Sequence, residues 1–597
     1  MKEQNYMDNI AEELGDNENY MAEMEQAIKE VNKNNSDEKE THGQKLFAQA
    51  VTECRVFKDQ NGEPFASTVV DGKEIHMSME SKSFKDWLSM IAHDNNISPT
   101  KSTVADALAI LRAEALFKSE KTSDVHNRIG LDPNGNIWIY SGSFNEPEYI
   151  IISPDGTIDT APKAPLKFAP SKMTRAFPKI KTGNSDYKNL GNIMMLKQHL
   201  NVTDDGFKLM LIFIIQCFFP DRDFVILQLL GEQGSGKSKS NSTLRKVIDP
   251  SDKEKTSPPR KTDDLIVSAV NGHLLDFDNL SKLPNNLADD FCRLSTGGTL
   301  AKRTLYSDRD ETVLKARRPI ILNGISQPSI RPDLMQRSVV INLPQLDKSN
   351  RIHPRLMEQS FNTSYETIFG CLMNLTAQVY ALMQTQEWKK KINSIQFHRM
   401  AEYHELGLAV EQIMEWPQGT FDDAFNKNIL EGYKSVIDSE PTAITILKYV
   451  DTRFVGGIKS MEKSAAEWQH EFNIFLENDK ALKNILPKSP EQFGHAFNRI
   501  KPTLKEFGIV LTKFEKHSNN VWNISIQDKS YIRNTSYTSD STPSGIGSVV
   551  SNNTENFQPS LEDYPEKESA PSAEPIAPKE VLEKQDHTGM PWEENQN

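Results

Sequence analysis

Cysteine is scarce in this chain, at four in 597 residues. Cys54, Cys217, Cys292 and Cys371 lie far apart with no CxxC spacing, which excludes a thiolate zinc site and a disulfide framework. A reducing cytoplasm suits such a chain. Basic residues are in the minority: 69 Lys and Arg against 83 Asp and Glu leave a formal net charge of -14 and a pI of about 5.5. That balance excludes a coat protein for nucleic acid, so any DNA contact must come from local patches. Long apolar runs are missing too. The richest, 209–220, is shorter than the roughly 20 residues that span a bilayer and reads as a buried helix, so no membrane partner is expected. Residues 1–19 are acidic, without a basic stretch followed by an apolar one, and no secretory leader is expected. No internal repeat is visible.

What the chain does have is length for several domains and a clear change of character along it. The expected fold class is multidomain α/β and α+β. A disordered acidic arm (1–45) leads into a small α+β domain (46–162) of short strands, with turns at Asn61-Gly62 and Asp71-Gly72, and two amphipathic helices. A linker and helical segment (163–220) precedes a central parallel-sheet core (221–346), where strand-like and helical stretches alternate. A helical region (347–440), a further compact unit (441–527) and a disordered tail (528–597), dense in Ser, Thr, Pro, Asn and Glu, complete the chain.

The core opens with Asp223-Phe-Val-Ile-Leu-Gln-Leu-Leu230, a buried-strand pattern, followed at once by Gly231-Glu232-Gln233-Gly234-Ser235-Gly236-Lys237-Ser238 and a helical stretch from Lys239. Strand, glycine-rich loop and helix together form a phosphate-binding loop, in which backbone N–H groups and the helix N-terminus attract anions. ATP and Mg²⁺ are the expected ligands, with Lys237 reaching the β- and γ-phosphates and the Ser238 hydroxyl on the metal. Such a loop needs an acidic residue at the end of a neighbouring strand. In His273-Leu-Leu-Asp276-Phe-Asp278-Asn279 the choice falls on Asp278, with Asp276 the alternative on the same strand face. Asn279 stands where a second carboxylate would orient water, and an amide positions water without taking its proton. Arg318-Pro-Ile-Ile-Leu-Asn323-Gly324 is a further apolar strand whose terminal Asn323 is a candidate γ-phosphate sensor. Arg331 and Arg337 are candidates for the charge-stabilising arginine supplied to an adjacent subunit, with Arg337 preferred.

The order of these motifs resembles the superfamily 3 helicases, AAA+-like ring ATPases that replicate viruses, phages and plasmid-like elements. Leu275 to Pro344 is similar to the helicase-like ATP-binding proteins of bacterial mobile elements. The likeness rests on Asp278-Asn-Leu-Ser281, Arg293-Leu-Ser-Thr-Gly-Gly298, Arg303-Thr-Leu-Tyr306, Arg318 to Gly324 and Arg331-Pro-Asp-Leu334. No fused primase signature accompanies them. The resemblance implies a hexameric ring and a β-hairpin before the sensor strand that points into the channel. Leu300 to Tyr306 and Thr312 to Arg317 read as that hairpin, offering Lys302, Arg303, Lys315 and Arg317 to single-stranded or forked DNA.

The last folded unit has a basic helix, 489–507, followed by a hairpin pattern, as in winged-helix domains, and Trp522 is expected in its core. The expected function is an ATP-dependent DNA helicase or translocase for a mobile element, with the C-terminal tail as a docking segment for host replication proteins. The rival is an ATP-switched DNA-binding or defence-related assembly factor with little hydrolysis.

Overall fold

The computed structural model describes residues 40–527, apart from 120–121, 145, 182, 254–255, 281–282, 304–310, 326–330, 348, 350, 439, 455–457 and 517–518. The tail, and the arm before residue 40, lie outside the described residues. The end of the expected arm is ordered. Thr41 and Gln44 form a capping box, each side chain bonding the other's backbone N–H, and start the helix His42–Glu53. That helix packs with Lys82–Asp94 and Lys101–Ala113 on the antiparallel sheet Cys54–Lys58, Pro64–Val70 and Lys73–Ser78. Leu46, Phe84, Trp87, Leu88 and Leu111 belong to its own core.

A second antiparallel sheet follows, with Ile129–Leu131, Ile137–Tyr140, Tyr149–Ile152 and Ile158–Ala161 adjacent in chain order. Strand alternation divides its side chains between two cores. Trp138, Tyr140 and Tyr149 pack with Phe168 on one face, while Ile137, Ile139, Ile150 and Ile152 join the main core of the molecule on the other. This sheet is therefore part of the central body. The expected linker is packed as well: Phe177 stacks on Phe369 with ring centroids 4.4 Å apart, and Thr174 bridges Ser251.

Arg128, 1% exposed, joins the sheet to the core. Its Nε donates to Asp249 Oδ1 at 2.9 Å, and its two terminal nitrogens donate to the carbonyls of Tyr140, Gly142, Arg175 and Pro250. Asp249 also accepts from the backbone N–H groups of His273 and Leu274. Burial opposes the charge on Asp249, yet Arg128 and Arg245 hold its carboxyl below the usual carboxylate range.

At the centre lies a four-stranded parallel sheet in the order Leu275–Phe277, Ile320–Gly324, Ile226–Leu230, Ser338–Asn342. Its two inner strands are buried along their whole length, as expected of strands covered on both faces. The one polar side chain within Ile226–Leu230, Gln228, donates to Ser338 Oγ across the sheet at 2.8 Å. The helix Asp204–Gln216, apolar nearly all round, fills the main core, and Asp204 and Asp205 in its first turn complement its dipole. The helices Pro354–Gln384 and Ala401–Ile413 complete this core.

The C-terminal region is helical up to a separate small core, in which Pro441–Arg453, Ala465–Phe475 and Pro490–Glu506 surround the antiparallel sheet Ser460–Ser464, Asn519–Ile526, Ile509–Lys516. Trp522 is buried there and accepts from Trp468 Nε1 through its carbonyl. All four cysteines are buried and unpaired, and burial pushes the thiols of Cys54 and Cys292 up to about 12, which leaves them inert at neutral pH. No helix among the described residues is long and apolar enough to cross a membrane.

Candidate nucleotide site

The C-terminal ends of three adjacent parallel strands converge on one edge of the sheet, the place where open α/β sheets collect ligands. Register pairs Leu230 with Gly324 and Leu229 with Asn323, so the loop that leaves Leu230 emerges beside Asn323. Gly231 is required by close approach: an added Cβ would lie 2.7 Å from Ser235 Oγ and 2.8 Å from the Leu343 carbonyl. Gly234 and Gly236 are required by conformation, with φ of +88° and +81°. Gly236 caps the helix Lys237–Ile248, whose first turn faces the loop. Glu232 and Gln233 are exposed, Ser235 is fully buried, and Lys239 is half-buried on the helix.

Lys237 folds back over the loop, its Nζ donating to the carbonyls of Gly231 and Glu232 at 2.7 Å each. Burial lowers its pKa, and the negative charge of Asp278 works against that shift. Asp278 stands one residue beyond the strand Leu275–Phe277. Ser238 Oγ donates to Asp278 Oδ2 at 3.1 Å, and Asn323 Nδ2 donates to Asp278 Oδ1 at 2.7 Å. The oxygen of that amide, Asn323 Oδ1, is buried without a hydrogen-bond partner among the described residues, as is Ser235 Oγ.

Asp276, the alternative to Asp278, does different work. It is 1% exposed inside the strand, ion-paired with Arg245, and accepts from Asn241 Nδ2 at 3.3 Å. Strand alternation does put both carboxylates on one face, but only Asp278 lies beside Ser238. A hydroxyl and a carboxylate side by side are the hard oxygen donors that Mg²⁺ takes, and this ion keeps most of its waters, so Ser238 and Asp278 fit it. Asn279 follows at φ +62°, an αL conformation that Asn tolerates, with its side chain exposed.

The arginines and the hairpin lie elsewhere. Arg331 donates to the Asn285 carbonyl and to Asp289, both at 2.9 Å, and Arg337 pairs with Asp333 at 3.3 Å. Arg337 immediately precedes Ser338, which pairs with Ile226 at the start of the central strand, so it sits at the opposite end of the sheet from the loop. The hairpin is present, with Thr299–Arg303 antiparallel to Glu311–Lys315. Its tip lies outside the described residues, and only the backbone of Lys302 and Arg303 is described. Lys315 is exposed, and its backbone N–H donates to Asn61 Oδ1 of the N-terminal sheet at 2.9 Å.

Arg317 follows the second hairpin strand by two residues and is exposed. It donates to the Asp221 carbonyl at 2.8 Å and pairs with Asp223 at 3.4 Å, so it anchors the base of the hairpin. In the C-terminal unit Arg499 is likewise held, by Glu440 at 2.7 Å, while Lys501 and Lys505 are exposed.

Sequence reasoning missed two contributors. Asn201 Nδ2 donates to the carbonyls of Ser235 and Pro344, at 2.9 and 2.6 Å, and fastens the loop from behind. Arg351 brings Nη2 to 3.4 Å from where a Cβ on Gly234 would lie. No local motif announces either residue. Each shows in the sequence only as an isolated polar residue just before or after the core's apolar segments.

Residues 192–410 match a family described as the actinomycete integrative conjugative element replication protein, and residues 443–541 match the C-terminal domain described for the same replication proteins. No curated protein matches the sequence. Among solved structures the chain is similar to the NrS-1 C-terminal region, at 13% identity over 81% of this chain and 98% of that one, with a TM-score of 0.32. A full-length MCM homolog from Methanopyrus kandleri is similar at 10% identity over 60% of this chain and 90% of that one, with a TM-score of 0.27.

Proposed function

We propose that this chain is an ATP-dependent DNA helicase or translocase of AAA+ type that acts in replication of a mobile genetic element as a ring oligomer. The observation that carries this reading is the meeting of Lys237, Ser238, Asp278 and Asn323 at the ends of adjacent parallel strands. Mg²⁺, when bound, would supply positive charge against the phosphates. The chain's own residues do the rest. Backbone N–H groups of 231–238 cradle the phosphates, Lys237 exchanges its loop carbonyls for phosphate oxygens, and Ser238 and Asp278 would hold the metal. Asn323 bridges Asp278 and the terminal phosphate, so loss of that phosphate is felt along its strand.

Arg337 serves a neighbouring subunit. With five residues of central strand between it and its own loop, roughly 16 Å at about 3.3 Å per residue, it cannot reach its own nucleotide. Arg331 and Arg337 flank the same short helix, Pro332–Met335. Lys302, Arg303, Lys315 and Arg317 of the hairpin, with Lys501 and Lys505 of the winged-helix-like unit, are the proposed DNA contacts. The match to replication proteins of conjugative elements supports the setting.

Asn279 favours a second reading, an ATP-switched assembly factor, because an amide at that place cannot accept water's proton. ATP turnover of the wild type and Lys237→Ala, with and without single-stranded DNA, decides between them. DNA-stimulated turnover that the substitution abolishes supports the motor. ATP binding with turnover at background supports the switch.

A further inference from the structure

The connection between the strand Ser338–Asn342 and the helix Pro354–Gln384 wraps the phosphate loop. Leu343 N–H donates to the Leu230 carbonyl at 2.7 Å, and the Leu343 carbonyl blocks any side chain on Gly231. Leu346 Cδ1 stands 3.5 Å from where a Cβ on Gly236 would lie, and Asn201 ties Pro344 to Ser235. At the end of this connection Arg351 reaches Gly234, the loop residue whose φ of +88° admits glycine most easily. Three successive points of the connection thus touch three glycines of the loop.

Arg351 differs from the other arginines around the core. Arg317, Arg331 and Arg337 hold Asp223, Asp289 and Asp333. Arg351 is exposed and has no ion pair or hydrogen bond among the described residues. An unpaired guanidinium held against a loop whose backbone N–H groups collect anions has one natural counterpart, a phosphate, which its planar fork binds through two oxygens.

We propose that Arg351 contacts the polyphosphate of the nucleotide held by its own loop, a second cation supplied in the same chain beside Lys237. The proposal rests on the nucleotide-binding reading above. The connection thereby couples the site to the helical region, because the nucleotide draws the leading end of the long helix Pro354–Gln384 onto the loop.

Titration of the full chain with a fluorescent MgATP analogue and with the corresponding MgADP analogue tests this, for wild type, Lys237→Ala, Arg351→Ala, Arg351→Lys and Arg351→Glu. Circular dichroism checks that the exposed substitutions leave the fold unchanged. Charge-assisted hydrogen bonds contribute enough that Arg351→Ala should weaken binding roughly tenfold. Arg351→Lys should recover part of the loss, and Arg351→Glu should lose more. A loss shared by both nucleotides assigns the contact to the inner phosphates, and a loss confined to MgATP assigns it to the terminal one. Unchanged affinity in both Arg351→Ala and Arg351→Glu, with Lys237→Ala impaired, overturns the proposal while leaving the nucleotide site standing. A wild type that binds neither analogue overturns both.

Discussion

Two clusters of charged and polar groups flank the strand Leu275–Phe277, and they are built on opposite terms. At the domain joint, Arg128 and Asp249 are buried and each makes several hydrogen bonds, Arg128 to one carboxylate and four carbonyls. At the loop edge, Ser235 Oγ and Asn323 Oδ1 are buried without partners among the described residues, and Arg351 stands unpaired. A satisfied buried network holds parts together, and its members are costly to remove singly. An edge with unspent hydrogen-bonding capacity is equipped to hold something else. The contrast is sharpest between Asp276 and Asp278, two residues apart on one strand face: the first belongs to the joint's charges, the second to the site.

The comparison breaks if the joint proves dispensable. Arg128→Met should strand the Asp249 carboxylate in the interior and cost about 4 kcal/mol of stability, read as a lowered denaturant midpoint, while Lys237→Ala should leave that midpoint nearly unmoved. A joint variant as stable as wild type would make the ion pair incidental.

The pair of aspartates comes next. Asp278→Asn should cut ATP turnover at least a hundredfold, about 3 kcal/mol in the barrier, with little change in unfolding. Asp276→Asn should do the reverse, costing about 2 kcal/mol of stability through the weakened tie to Arg245. Equal effects of the two on turnover would erase the distinction.

His273 sharpens the joint's side through pH. Burial pulls its pKa down to about 4 from 6.5, and its Nε2 bonds the Cys217 carbonyl at 2.8 Å. The unfolded chain therefore binds more protons between those values, so stability should fall as pH drops from 7 to 5, by about 2 kcal/mol from this residue. His273→Gln should flatten that decline, and an unchanged slope would remove His273 as its source.

The smallest effect concerns Asn279. Its αL backbone suits Asp equally, so Asn279→Asp should raise turnover a few-fold by supplying a base, measured under DNA-saturated conditions. No rise would mean that water is activated elsewhere.

The candidate site was legible in the sequence where a motif fixes several residues by short spacing. The loop 231–238 names its own lysine and serine, and the strand ends at Asp278 and Asn323 follow from apolar runs that stop at a polar residue. The hairpin pattern at 299–315 and the helix-then-hairpin pattern at 490–526 were legible for the same reason. Long-range pairings were not. Arg128 meets Asp249 across 121 positions, and nothing within either neighbourhood announces the other. Arg351 ends a connection whose path depends on Leu343 and Asn201. The packing of 163–183 escaped because Pro and Lys suggest a tether, whereas Phe177, buried on Phe369, decides the outcome. The helix His42–Glu53 did carry a local signal, Thr41 to Gln44, within a segment whose composition pointed the other way.

The meander sheet 129–161 gives one face to the core beneath the parallel sheet, and that has a consequence for inheritance. Ile137, Ile139, Ile150 and Ile152 share a single interior with the helix Asp204–Gln216. A recombination event that swapped the upstream region at the apparent linker would leave that interior half uncovered. The meander and the parallel-sheet core would have to be exchanged as one piece, whereas the N-terminal sheet packs a core of its own.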